Sequence, residues 1–372
     1  MTKFNHPVEV LITDLAQLEG RRDLTSCTLQ GLNFLAHPVD WTAFSMDNTA
    51  FLGCRMSLEA ELQLRQMGAH IYPPPAQPLP YDPFRKSLYT WQELIGESEG
   101  KPADLQIYEH FSETKLNPPI NEALWQRIHD HSVDEGLRQL LQFDERGMTN
   151  LRCVGIMGGH STLRTDPYFE KTAVTAMELA KAGYFVVSGG GPGIMEAANL
   201  GAYFSAYGPE ALQKALRTLK AAPHYTDPGY HEAAQNVLED YPEGAENLAI
   251  PTWFYGHEPS NLFASQIAKY FSNSIREDTL LAISLYGIIC APGSAGTTQE
   301  IFMDATQNHY GTFNYYSPMV FLGRQRYEIE TLIYPLLRQL AWGRDYYDLL
   351  FLTDEPEEVV RFLEAHPPKR VE

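Results

Sequence analysis

No apolar run in this chain approaches the roughly 20 residues that a helix needs to cross a bilayer, so no membrane span is read from it. Basic residues are scarce too. There are 28 Lys and Arg against 47 Asp and Glu, a formal net charge of −19. A surface of that sign repels polyphosphate chains, which argues against nucleic acid as a partner. Cysteine is sparse and carries no C-x-x-C spacing: Cys27, Cys54, Cys153 and Cys290 are read as free thiols, the last two inside apolar runs of buried strands. The opening Met1-Thr2-Lys3-Phe4-Asn5-His6-Pro7 lacks a basic stretch followed by an apolar one. Neither a secretory signal nor a transit peptide is read there, and a cytoplasmic location is expected.

What the sequence does hold is enough chain, 372 residues, for more than one compact core, with the 44% apolar and 20% charged residues of an ordinary globular protein. Residues 1–117 read as an N-terminal region of mixed structure, and 118–372 as the main domain. Within the first region an apolar residue recurs every fifth position at Leu24, Leu29, Phe34, Val39 and Phe44. Such a period is that of pentapeptide-repeat coils, but the run is short for a solenoid, and chance or a small local stack is the favoured reading. The proline-dense stretch from Ile71 to Pro83 reads as an extended connector. A helix is expected from Ile120 to Phe143.

From Leu151 short apolar runs alternate with helical patterns at the spacing of βα units. That predicts an α/β fold, a Rossmann-like open parallel sheet with helices on both faces. The expected strands are 153–157, 184–188, 248–254, 286–291, 319–322 and 349–352. The first helix has clear punctuation: Asp166 as cap, Pro167 at its first position and Gly183 at its end. An insert at about 203–246, with helical pieces near 210–219 and 230–238, exceeds a minimal sheet domain and reads as a lid or an oligomer contact.

Three glycine-rich loops follow predicted strands, and in an open parallel sheet such strand ends face one crevice. The first carries Gly158, Gly159, His160 and Ser161. The second runs from Ser188 through Gly189, Gly190, Gly191 and Gly193 to Glu196. The third is Pro292-Gly293-Ser294-Ala295-Gly296-Thr297-Thr298-Gln299-Glu300. None is a G-x-x-x-x-G-K-[ST] loop, and the first also lacks the dinucleotide spacing, so a mononucleotide phosphate is the expected ligand. A helix beginning near Thr297 would aim unpaired N–H groups at that phosphate. Taken alone, Thr297-x-x-Glu300 is more simply a capping box. Arg276 alone would be a surface partner of Glu277 or Asp278, and His160 a loop histidine bonded to its own turn.

The run Ser-Gly-Gly-Gly-Pro-Gly-Ile-Met-Glu-Ala-Ala-Asn at 188–199, with the third loop, resembles the LOG (Lonely Guy) family. That family includes cytokinin riboside 5′-monophosphate phosphoribohydrolases and nucleotide nucleosidases, often mislabelled as lysine decarboxylases. The third loop is the family's P-G-G-x-G-T-x-x-E motif with Ser294 in place of the second glycine, and the resemblance extends from about Leu151 to the end. It implies hydrolysis of the N-glycosidic bond of a nucleoside 5′-monophosphate, without metal or cofactor, by a homodimer or higher homo-oligomer. The motif's closing Glu falls on Glu300, and the family's catalytic Arg on Arg276, 24 positions upstream. Ser294 places a Cβ where a glycine φ could be needed, and Gln299 stands where many members carry a second acid. The N-terminal region and the insert are similar to extensions of larger bacterial nucleotide nucleosidases. The alternative is a noncatalytic nucleotide sensor or cofactor carrier of the same fold. A pyridoxal phosphate decarboxylase is disfavoured, because none of the three loops holds a lysine. Binding of single-stranded DNA is disfavoured by charge.

Overall fold

The computed structural model describes residues 10–98, 100–144 and 148–371. The opening stretch Met1–Pro7, read above for targeting signals, lies outside the described residues. Two compact units emerge: residues 1–87 with 118–135, and residues 88–117 with 136–372. The single boundary expected at 117/118 and these interleaved units divide the chain differently.

In the first unit the spacing of five is structural. Leu24, Leu29 and Phe34 share one buried core, and Val39 and Phe44 pack against it. Strands β1 (Val10–Ile12), β2 (Cys27–Gln30), β3 (Ala50–Leu52) and β4 (His70–Tyr72) stack in parallel in that order. Their register aligns Ile12 with Leu29, Leu29 with Phe51 and Phe51 with Ile71. One apolar ladder thus runs through the stack, sealed by Trp41 edge-on to Phe34 at 4.9 Å and to Phe51 at 5.5 Å. Of the sequence readings, the small stack holds and chance does not. Helix α1 (Leu58–Gln66) connects β3 to β4.

The second unit is built on a seven-stranded sheet. Its strands in chain order are β5 (Cys153–Met157), β6 (Phe185–Ser188), β7 (Leu248–Ala249), β8 (Gln266–Ile267), β9 (Ile288–Cys290), β10 (Met319–Leu322) and β11 (Leu350–Thr353). In space the order is β8-β7-β6-β5-β9-β10-β11, every pair parallel. All five residues of β5 are buried, as expected of a strand covered on both faces. The chain winds outward from β5 in one direction, then returns to place β9 on its other side. The topological switch point therefore lies between β5 and β9, where the strand order leaves a crevice at the carboxyl ends. The expected strand 248–254 is shorter than read. Ile250 N–H still donates to Ser188 O at 2.8 Å, but Pro251 has no N–H for a ladder, so the regular strand ends at Ala249 and is followed by the isolated bridge from Thr252 to Tyr270. The two-residue strand β8 has no counterpart in the sequence reading.

The helices of this unit used below are α2 (Ala103–Thr114), α3 (Pro167–Lys181), α4 (Ile194–Phe204), α5 (Pro209–Leu219), α6 (Tyr230–Asp240), α7 (Asn273–Ile283) and α8 (Ala295–Tyr310). Asp166 caps α3 by accepting from Tyr168 N–H, Pro167 opens it, and Gly183 at φ +81° follows its end. Helices α3 and α4 cross closely at Gly201, where a Cβ would overlap the Ala173 carbonyl. The insert forms α5 and α6, and their apolar faces, Leu212, Leu216, Ala233 and Val237, share a core with Phe169, Leu200 and Phe204. The insert is thus rooted in the unit's own core. The helix expected at 120–143 spans Ile120–Leu141.

Candidate functional site

The carboxyl ends of β5, β6 and β9 bring the three glycine loops together. Gly159 N–H donates to Pro292 O at 3.0 Å, and Ile194 N–H to Gly159 O at 3.1 Å. Absent side chains permit this approach: a Cβ on Gly158 would run into Ile194, and one on Gly193, at φ +68°, into Gly159 O. Ser294 sits at φ −109°, so the residue that replaces the motif's second glycine needs no left-handed conformation. Ser294, Ala295 and Gly296 are exposed, whereas Thr297 is buried. Helix α8 starts at Ala295, two residues before the expected position. Its first N–H groups lack intrahelical partners by construction, as an anion site requires.

The earlier start removes the capping-box reading. Ser294 is the cap position and makes no side-chain cap bond, Thr297 lies inside the first turn, and Glu300 faces Arg276. Arg276 lies in the first turn of α7, and only 7% of its surface is exposed. Its Nε donates to Ile250 O at 2.8 Å, Nη2 to Gly189 O at 3.4 Å and Nη1 to Glu300 Oε1 at 3.2 Å. One guanidinium therefore ties the end of β7, the second glycine loop and the motif glutamate. The surface pairing with Glu277 is not formed. Glu277 instead accepts from Asn273 at 2.8 Å and from Gln299 at 2.7 Å. Burial pushes the Glu300 carboxyl above the usual range; Arg276 opposes that push and Glu277 adds to it. Where the motif's second acid is replaced by Gln299, the chain has a buried acid, Glu277, held by that same glutamine.

Two expected ligand contacts are engaged elsewhere. Ser188 is wholly buried, accepts from Gly190 N–H at 3.0 Å and donates to Asn199 at 2.6 Å, in an amide chain continued by Asn247 and Asn261. It shapes the second loop from beneath. Glu196 is 3% exposed, and its carboxylate is forked by Arg164 and accepts from Tyr230 OH at 2.7 Å. His160 and Ser161 remain exposed at the rim. His160 lies beside Tyr225, ring centroids 6.3 Å apart.

Three groups near the crevice carried no motif signal. Asp104, at the start of α2, is 2% exposed and accepts from Trp253 Nε1 at 2.7 Å, Ser260 Oγ at 3.2 Å and Lys269 Nζ at 2.9 Å. It pins the segment 253–260, whose Glu258 lies so near Gly191 that a Cβ there would come within 2.5 Å of Oε2. Arg164 follows the first loop and has just been described. Asp304 sits one turn beyond Glu300 on α8, and its Oδ2 has no hydrogen-bond partner in the protein. Burial raises its pKa from 3.8 to about 8.

A carboxyl held protonated by the fold contributes stability that is fully present below the unfolded value and is lost as pH climbs toward the folded one. Between pH 5 and 7 one such proton is worth roughly 2–3 kcal/mol. Asp304→Asn, which does not ionise, should therefore melt near the wild type at pH 4.5 and several degrees above it at pH 8 by calorimetry. A difference that stays constant across that range would show that Asp304 is not held protonated. The four cysteines are free and buried, and burial raises their thiols.

An open, doubly wound parallel sheet with glycine loops at its switch point defines a Rossmann-like α/β protein. More particularly, residues 151–207 match the SLOG cluster4 family model. That stretch holds the first two glycine loops, and the match supports the resemblance to the LOG family. No curated protein matches the chain. Among solved structures, the molybdenum cofactor binding protein of Rippkaea orientalis is 13% identical, with 58% of this chain and 97% of that chain covered and a TM-score of 0.37. The molybdenum cofactor carrier protein of Chlamydomonas reinhardtii is 14% identical, with 58% and 100% covered and the same TM-score, 0.37. Among the described residues no helix is long and apolar enough to cross a membrane.

Proposed function

We propose that the crevice binds a nucleoside 5′-monophosphate and hydrolyses its N-glycosidic bond, releasing the base and ribose 5-phosphate. The observation that carries this reading is the buried Arg276–Glu300 pair beside the exposed start of α8. From Ala295 to Glu300 the helix rises about 7 Å, comparable with the span of a ribose from its 5′-phosphate to its anomeric carbon. A phosphate held by the N–H groups of Ala295, Gly296 and Thr297 thus brings the anomeric carbon near the Glu300 carboxylate. There the C1′–N bond breaks with its electron pair going to the base nitrogen, and water adds to C1′. A carboxylate stabilises the oxocarbenium charge that develops between those events and takes the water's proton, which the departed base nitrogen then recovers. Arg276 opposes the upward push of burial on that carboxylate and fixes its direction. In this reading the protein acts as a homo-oligomer in the cytoplasm; sedimentation of the purified chain checks the first and cell fractionation the second.

The test is incubation of purified protein with adenosine, guanosine, cytidine and uridine 5′-monophosphates and the corresponding nucleosides, with free base followed by chromatography. Base release from at least one monophosphate, and none from its nucleoside, is expected, because the nucleoside lacks the group that α8 holds. Binding of monophosphates without any release would replace hydrolysis by the sensor reading.

A further inference from the structure

The loop between α5 and α6, residues 220–229, reaches the crevice rim from the insert, and its construction is unusually fixed. Arg164 N–H donates to Pro223 O at 3.0 Å, while Arg164 Nη1 donates to Ala222 O at 3.3 Å and Tyr230 O at 3.0 Å, gripping the loop at both ends. The guanidinium also lies 3.5 Å over the Tyr230 ring and is held from behind by Glu196. Within the loop Asp227 accepts from His224 N–H at 2.7 Å. His224 Nδ1 lies 2.7 Å from Thr226 Oγ1 and 3.3 Å from Thr226 N, which ties the ring to its own turn. The His224 and Tyr225 rings lie with centroids 4.4 Å apart at 34°, and the half-buried Tyr225 ring lies 6.3 Å from that of the exposed His160.

His160 belongs to the junction itself, since its neighbour Gly159 bonds Pro292 and a Cβ on Gly193 would lie 2.7 Å from His160 O. The ring pair therefore stands beside the place where the three glycine loops meet. A pre-ordered aromatic face at that rim presents a large contact area with little ordering left to lose on binding, which suits a planar heterocycle. We infer that Tyr225, buttressed by His224, is the wall against which the nucleobase stacks, so that the insert supplies base recognition to a phosphosugar site. This rests on the crevice taking a nucleoside monophosphate, as proposed above.

Formycin 5′-monophosphate, whose base is joined through carbon and does not hydrolyse, and ribose 5-phosphate are titrated by calorimetry into wild type, Tyr225→Ala and Tyr225→Phe. Wild type is expected to hold the nucleotide at least about tenfold more tightly than the sugar phosphate. Tyr225→Ala should lose about tenfold for the nucleotide and stay within about twofold for ribose 5-phosphate. Tyr225→Phe, which keeps the ring face, should stay near wild type for both. Equal affinity of wild type for the two ligands, or a Tyr225→Ala variant that leaves nucleotide affinity intact or weakens both ligands alike, overturns the wall while the phosphosugar site stands. If neither ligand binds wild type, the site reading falls together with it.

Discussion

Glu300→Gln is expected to slow base release by about three orders of magnitude while nucleotide affinity stays within about threefold. The amide keeps the shape of the carboxylate and can still accept from Arg276 Nη1, so the buried guanidinium retains a partner and the fold is kept. What it loses is the negative charge facing the anomeric carbon. The rest of the crevice, the glycine loops and the start of α8, binds ground state and transition state alike, so the loss should fall on kcat and leave KM little changed. Single-turnover release of base, with a melting curve as control, measures it. A variant that matches the wild-type rate would remove Glu300 from the chemistry.

The second large effect concerns stability. Arg164 and Glu196 are 1% and 3% exposed, and the remaining donors of the guanidinium go to the backbone of the insert. Removing one member of a buried pair leaves the other charge without a counterion, which typically costs about 3–5 kcal/mol. Arg164→Met should do this to Glu196 and also remove the side-chain bonds to Ala222 O and Tyr230 O, leaving only the backbone bond to Pro223 O on the 220–229 loop. The expected result is a loss of that size in denaturant unfolding and faster exchange of amides in the insert. Exchanging both residues together, Arg164→Met with Glu196→Gln, should recover part of the loss, since no unpaired charge then remains buried. If the single substitution costs less than about 1 kcal/mol, the pair is not what holds the insert.

The parallel sheet was legible because strands such as Cys153–Met157 are apolar throughout and alternate with capped helices, a pattern that local periodicity carries. The meeting of the glycine loops followed from the strand-end rule applied to that pattern. What sequence spacing could not reveal is which polar side chains find each other across the fold. Thr297 and Glu300 have the spacing of a capping box, yet α8 begins two residues earlier and turns Glu300 toward Arg276. Glu196 stands inside the second loop's motif, yet its partner Arg164 lies 32 positions away behind the first loop. Asp104 is 165 positions from Lys269, and no periodicity links them. Likewise the truncation of the third strand hangs on one residue, Pro251, within a run that otherwise reads as continuous.

In the stack of β1 to β4, each strand pairs only with the strand before it and the strand after it. Cohesion along such a column comes largely from neighbour-to-neighbour terms, each turn extending the same apolar ladder. Whole turns of chain are therefore the natural unit by which this region lengthens or shortens over evolutionary time: a turn inserted between β2 and β3 meets the same kind of apolar shelf that it displaces.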